Sequence, residues 1–356
     1  MHLLQPEYAI LYSFITAVLI SLIMIPRVAR VAKAKNIVAM PNGRTSHDGA
    51  IPTMGGVAIF GSLVMGTGLW LPGEALVGFQ YVIPALVIIL FFGMKDDMVG
   101  INARKKLLGQ IFASLLVIMA ADIRLTTLYG AFGIHQIPYV VSVVITLFIF
   151  LLSINAYNLI DGIDGLASGM GILISLLYGA AFLLLGEFPF AALTFSLAGS
   201  LLVFFIFNVF GKKNKLFMGD TGSLTIGFIF AILAVKIATS SGAPGSIPDM
   251  RGYPIVAFSL LLIPICDTLR VIVSRFSRRV SPFHAERTHC HHDLLRLGFT
   301  HLQASLILIG LALLLFIVAL MLRNFFPLLL GIIMVGTGMF VTNIPNILLR
   351  LLGKKI

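Results

Sequence analysis

The chain has 356 residues, 59% of them hydrophobic and only 11% charged, with a mean hydropathy of +1.04. This balance excludes an ordinary soluble domain and describes a polytopic membrane protein. The formal net charge of +11 points to anionic lipid head groups or an anionic substrate, not to nucleic acid. Backbone groups in lipid must pair internally, and the period-2 alternation of a barrel is absent, so an all-α fold is expected. The two cysteines, Cys266 and Cys290, form no disulfide framework and read as reduced.

Eleven apolar runs approach the length of a membrane span. They lie near residues 8–26, 53–71, 80–94, 107–121, 138–154, 167–186, 189–210, 223–239, 253–273, 303–322 and 326–349, and predict about eleven transmembrane helices. The first reads as an uncleaved span, because Glu7 precedes it and basic residues follow it. Twenty of the 25 Lys and Arg fall in odd-numbered connections or the C-terminal tail. Three fall in even-numbered connections, and Lys236 and Arg270 lie within runs. Positive charge marks the cytoplasmic side, which places the N-terminus outside and the C-terminus inside. Eight of the ten Asp fall on that same side. Solvation alone does not require this bias, whereas a cytoplasm-facing site assembled from several loops does. No repeat or linker is visible, so residues 1–356 read as one domain.

Four connections carry chemistry, and a fifth belongs with them. In the first, His47 precedes Ile51-Pro52-Thr53-Met54-Gly55-Gly56, where paired glycines suit helix packing. In the third, Lys95-Asp96-Asp97 ends an apolar run and Arg104, Lys105 and Lys106 follow. Adjacent carboxylates raise one another's pKa unless a cation intervenes, which suits a general base or the neighbour of a divalent metal. In the fifth, Asn155, Asn158, Asp161 and Asp164 recur every three residues with no basic residue nearby. Gly162 and Gly165 make a helix break plausible there, and uncompensated acids beside a span suggest function. In the seventh, Asn208 and three lysines precede Phe217-Met218-Gly219-Asp220-Thr221-Gly222-Ser223. A helix starting near Ser223 would offer amides to phosphate, Asp220 could hold Mg²⁺ and Phe217 could stack on a base. In the ninth, Arg287-Thr288-His289-Cys290-His291-His292-Asp293 suits a pyrophosphate. Zinc is the competing reading for that run, although neighbouring side chains diverge too far to complete a tetrahedral shell.

With these five motifs in this order, the chain resembles the polyprenyl-phosphate N-acetylhexosamine-1-phosphate transferases over nearly its whole length. The resemblance implies attack of a lipid monophosphate on the β-phosphorus of a UDP-sugar, with release of UMP, at the cytoplasmic face of the bacterial inner membrane. It implies Mg²⁺, or Mn²⁺ in its place, at Asp220, with Asp164 supporting the metal. Asp96 and Asp97 fall on the family's Asp pair, one of which would deprotonate or orient the lipid phosphate. Asn158, Asp161, Asn208 and Phe217 are expected around the nucleotide. Arg287, His289, His291 and His292 are expected near the diphosphate and sugar, with His291 in a catalytic role. Lys105 and His47 are further expected substrate contacts. A homodimer is compatible with the family pattern.

One departure bears on the donor. The peptidoglycan branch carries three consecutive histidines, whereas Cys290 here separates His289 from His291-His292. That spacing, with Arg287 before it and Arg296-Leu297-Gly298-Phe299 after it, resembles the N-acetylglucosamine-1-phosphate branch that initiates surface glycans such as O-antigen. UDP-GlcNAc and undecaprenyl phosphate are therefore the expected substrates, ahead of another UDP-N-acetylhexosamine or UDP-MurNAc-pentapeptide. An ion-coupled transporter is the rival from another class. It would place its acids near the bilayer midplane in repeated halves, not at span ends on one side.

Overall fold

The computed structural model describes residues 5–39, 51–130, 133–240, 252–278 and 288–354. Helix α1 (Pro6–Ala34) leads into strands β1 (Val38–Ala39) and β2 (Ile51–Pro52), which pair antiparallel. Then follow α2 (Gly55–Gly68), the short α3 (Gly73–Leu76), α4 (Val82–Val99), α5 (Ala103–Leu115), α6 (Tyr139–Ile160) and α7 (Leu166–Leu184). After them come α8 (Phe188–Val209), α9 (Gly219–Thr239), α10 (Tyr253–Ser259), α11 (Leu262–Ser277), α12 (Cys290–Leu297), α13 (His301–Met321) and α14 (Pro327–Leu351).

Among the described residues, seven helices are long and apolar enough to cross a membrane, and two bent pairs bring the number to nine. The other two expected spans are helical but shorter. Helix α2 has 14 residues, and α5 has 13 before a π-turn over Leu116–Ala120. The expected span at 253–273 is really two helices, α10 and α11, bent by 74°. Pro264 accounts for the break, because its ring clashes with the carbonyl four residues back, at Leu260, and offers it no N–H. The expected span at 80–94 also changes. Helix α4 continues to Val99, which places Asp96 and Asp97 in its last turn instead of in a loop.

Helix α9 is the axis of the bundle. It packs against α2, α4, α6, α7 and α10, and nearly all its side chains are buried. Glycines allow the closest approaches. A Cβ on Gly56 would overlap the Gly222 backbone, and one on Gly93 would reach Thr221 Cα at 2.6 Å. These contacts anchor α2 and α4 to the first turn of α9, in keeping with a packing role for Gly55-Gly56. Buried tyrosines tie the centre together through their hydroxyls: Tyr157 donates to Ala167 O at 2.6 Å and Tyr178 to Ala257 O at 2.8 Å. Lys236, a cation within an apolar run, pairs with Glu187 at 3.0 Å and lies 5.2 Å from the Phe190 ring centre. Apolar side chains on α1, α6 and α14 are exposed in large number, as faces turned to lipid require.

Candidate active site

The site begins where α9 begins. Gly219 has φ +71°, a conformation that suits glycine. The amides of Asp220 and Thr221 donate to the Asp97 carboxylate at 2.9 and 3.0 Å, and the Thr221 hydroxyl donates to it at 2.5 Å. The first turn of α9 was expected to offer its amides to a phosphate. Asp97 takes two of them, for a physical reason: a carboxylate satisfies orphan helix donors and opposes the helix dipole. Backbone bonds hold the approach segment in place, with Phe217 N donating to Pro52 O at 2.8 Å and Gly55 N to Phe217 O at 2.9 Å. The Phe217 ring is half-buried.

Asp220 stands one residue inside that turn. Its Oδ1 accepts from Asn158 Nδ2 at 3.0 Å, and Asn158 also donates to Ser223 Oγ at 2.7 Å. Its Oδ2 is paired with Lys106, which also donates to Asp96 Oδ2 at 2.8 Å. One cation therefore bridges Asp96 and Asp220. The residue expected from that basic run, Lys105, is exposed on α5. Asn102 caps α5, and the helical turn carries the next lysine inward. Asp96 also accepts from Ile101 N at 2.8 Å.

Helix α6 stops at Ile160 and α7 starts at Leu166, with Gly165 at φ +83° between them. The break that Gly162 and Gly165 suggested is therefore present. Asp161 caps α6, and burial, then the charges of Asp220, Asp97 and Asp164, push its carboxyl well above the usual range. Asp164 Oδ2 accepts from Lys215 at 2.7 Å and lies 3.3 Å from His301 Nδ1. Asn208, expected near the nucleotide, is buried and fully engaged in the scaffold. Its Oδ1 accepts from Gly165 N at 2.8 Å and its Nδ2 donates to Leu216 O at 3.1 Å. It thereby fastens the start of α7 to the segment before α9.

The histidine run forms the opposite wall. His289 Nδ1 faces Asp267 Oδ2 at 2.7 Å, and Cys290 N donates to Asp267 Oδ1 at 2.9 Å. Arg270 donates to that Oδ1 at 2.8 Å and to Thr288 O at 2.6 Å. His291 is 1% exposed, and neither ring nitrogen has a hydrogen-bond partner. A Cβ on Gly162 would lie 2.5 Å from its Nε2, so the ring rests against the break between α6 and α7. Burial and the adjacent His292 hold His291 well below the usual histidine range, so it is neutral near pH 7. His292 is half-buried, its ring centre 4.3 Å from that of His291. His47 and Arg287 lie outside the described residues.

The fold therefore brings Asp96, Asp97, Asn158, Asp161, Asp164, Asp220 and His291 to one end of the bundle. Sequence reasoning did not single out Lys106, Lys215, Asp267, Arg270 or His301. A signal for one was present, since Asp267 is a lone acid in an apolar run. Among the described residues no three His, Cys, Asp or Glu side chains converge as a ready metal shell. The oxygens around Asp220 are nevertheless hard donors, and the one Lys106 leaves Asp96 and Asp220 a negative charge in excess. Such a set fits Mg²⁺, which takes one or two protein carboxylates and draws its other ligands from water and phosphate.

Residues 79–238 match the glycosyl transferase family 4. Over 309 residues the chain is 30% identical to an undecaprenyl-phosphate alpha-N-acetylglucosaminyl 1-phosphate transferase of Salmonella typhi, spanning 84% of this chain and 80% of that protein. The protein of the same name from Yersinia pestis is 28% identical over 316 residues, spanning 86% and 82%. A decaprenyl-phosphate N-acetylglucosaminephosphotransferase of Mycolicibacterium smegmatis is 32% identical over 296 residues, spanning 76% and 71%.

Proposed function

The chain belongs to glycosyl transferase family 4, among the polyprenyl-phosphate N-acetylhexosamine-1-phosphate transferases, and on that premise we propose that it transfers N-acetylglucosamine 1-phosphate from UDP-GlcNAc to undecaprenyl phosphate. A lipid phosphate oxygen attacks the β-phosphorus, the bond from that phosphorus to the bridging oxygen breaks, and UMP leaves with the bridging oxygen. The product is a lipid diphosphate sugar. The observation that carries this reading is the convergence of acids, amides, lysines and a neutral histidine from α4, α5, the α6–α7 break, α9 and α12. That end of the bundle is also where the basic connections lie, so the reaction faces the cytoplasm of a bacterial inner membrane.

Two phosphates must approach each other, and their repulsion is the main barrier. Mg²⁺ held by Asp220, with Asp164 in support, would neutralise part of that charge. Lys106 and Lys215, each paired with a site carboxylate, screen the remainder. Asp97 fixes the turn that carries Asp220 through three hydrogen bonds, which commit both its oxygens to the scaffold. Asp96 is the better candidate for orienting the lipid phosphate. Little deprotonation is needed, because the second pKa of a phosphate monoester is about 6. His291, neutral and with both nitrogens uncommitted, donates a hydrogen bond to the diphosphate or sugar. Phe217 packs against the uracil.

The test is UMP release by purified protein with undecaprenyl phosphate, Mg²⁺ and a panel of UDP-sugars. Release with UDP-GlcNAc and its loss in EDTA are expected. Release with only another UDP-N-acetylhexosamine would overturn the donor assignment, and no release with any donor would overturn the reaction.

A further inference from the structure

A second polar cavity lies outside the acidic centre, between α11 and α14. Its volume is about 710 Å³. Three arginines line it, Arg270 and Arg278 from the α11 side and Arg350 from α14, together with Asn343, Asn346 and Thr288. Neither Asp96, Asp97, Asp164 nor Asp220 reaches it. It is separated from them by the chain of contacts from His291 to His289, Asp267 and Arg270.

The lining combines basic, amide and apolar side chains. Arg278 and Arg350 stand at the last turns of α11 and α14, at the ends where the basic residues place the cytoplasm. Asn343, Asn346 and Arg350 share one face of α14 by their spacing of three and four. Part of the wall is apolar, with Val273 and Phe340 more than half exposed. At the inner end, Thr288 Oγ1 and Arg270 Nε are buried without hydrogen-bond partners. Cationic pockets between helices on the cytoplasmic side are suited to anionic head groups. The exposed apolar side chains in the wall distinguish an amphiphile from a free anion.

We propose that this cavity is a binding site for an anionic glycerophospholipid, its phosphate between Arg278 and Arg350 and its acyl chains along Val273 and Phe340. The acceptor lipid of the transfer reaction carries similar chemistry, but it must reach Asp220, which this cavity does not touch. The proposal is independent of that reaction, because binding is read without turnover.

The experiment is native mass spectrometry of the full-length protein in detergent, titrated with phosphatidylglycerol or phosphatidylcholine. One phosphatidylglycerol should be retained with at least tenfold preference, since each arginine near a head group contributes appreciably. The preference should disappear in the R278Q/R350Q variant. Equal retention of both lipids by the unmodified protein would overturn the proposal whether or not the variant folds. So would unchanged preference in the folded variant. Displacement by equimolar undecaprenyl phosphate would assign the cavity to the acceptor instead, and displacement by equimolar inorganic phosphate would assign it to a free anion.

Discussion

Two neighbouring carboxylates that look alike in sequence have different work. Asp97 accepts three hydrogen bonds at the first turn of α9, while Asp220 sits among other acids and is held by one lysine and one amide. Removing Asp97 strands buried donors, at about 1–3 kcal/mol for each group left unsatisfied. Asp97→Ala should therefore lower the melting temperature by several degrees and abolish turnover. Asp220→Ala should abolish turnover with the melting temperature unchanged or raised, because a repelling charge is gone. Thermal unfolding of both variants beside their UMP release separates the two roles. His291 provides a pH signature. Its pKa is depressed in the folded protein, so its stabilising contribution is complete above the unfolded value near 6.5 and is lost as pH falls below it. Wild type should lose more stability between pH 7 and pH 5 than His291→Gln does, as measured by melting temperature across that interval.

The decisive element is α9, because two other helices are positioned by its first turn. Gly56 lets α2 touch it, Gly93 lets α4 touch it, and the Asp97 carboxylate from α4 caps it. A methyl group at Gly56 forces α2 away from Gly222, and overpacking of this kind costs about 1–3 kcal/mol. Gly56→Ala should therefore destabilise the protein and reduce turnover by displacing Asp220. The control is Gly310→Ala in α13, where a Cβ would meet nothing within 4 Å. It should be neutral or stabilising by up to about 1 kcal/mol, since alanine favours helix over glycine. Denaturation of the two variants side by side reads the difference. Helix α11 positions polar groups as well. Its 74° bend from α10 turns Asp267 and Arg270 toward the histidine run, and a straight span would not.

At the scale of the molecule, the basic connections predict an orientation that reporter fusions can check. A phosphatase active only outside the cytoplasm should work when fused within residues 122–138 and fail when fused at 100–102 or after Lys354. A fluorescent protein at the C-terminus should fluoresce. Activity on both sides of α5 would overturn the eleven-span arrangement. The short α5 is the helix most exposed to this test, because its 13 residues fall below ordinary span length.

Hydrophobicity and charge placement were enough to determine a helical membrane protein with its polar chemistry gathered on one side. Each apolar run became helix because lipid leaves the backbone no other partner. The spaced glycines at 162 and 165 were likewise enough to locate the break between α6 and α7, because that signal is local. What only the tertiary structure decided is which polar groups meet. Lys106 rather than Lys105 bridges Asp96 and Asp220, because helix phase on α5 selects one lysine of a run. Asn208 serves the scaffold, because its neighbours Gly165 and Leu216 come from other segments. Asp267 orients His289 across a gap of 22 residues through a bend set by Pro264. Contacts of this range depend on how helices cross, and crossing is settled by packing at glycines far from the residues it brings together.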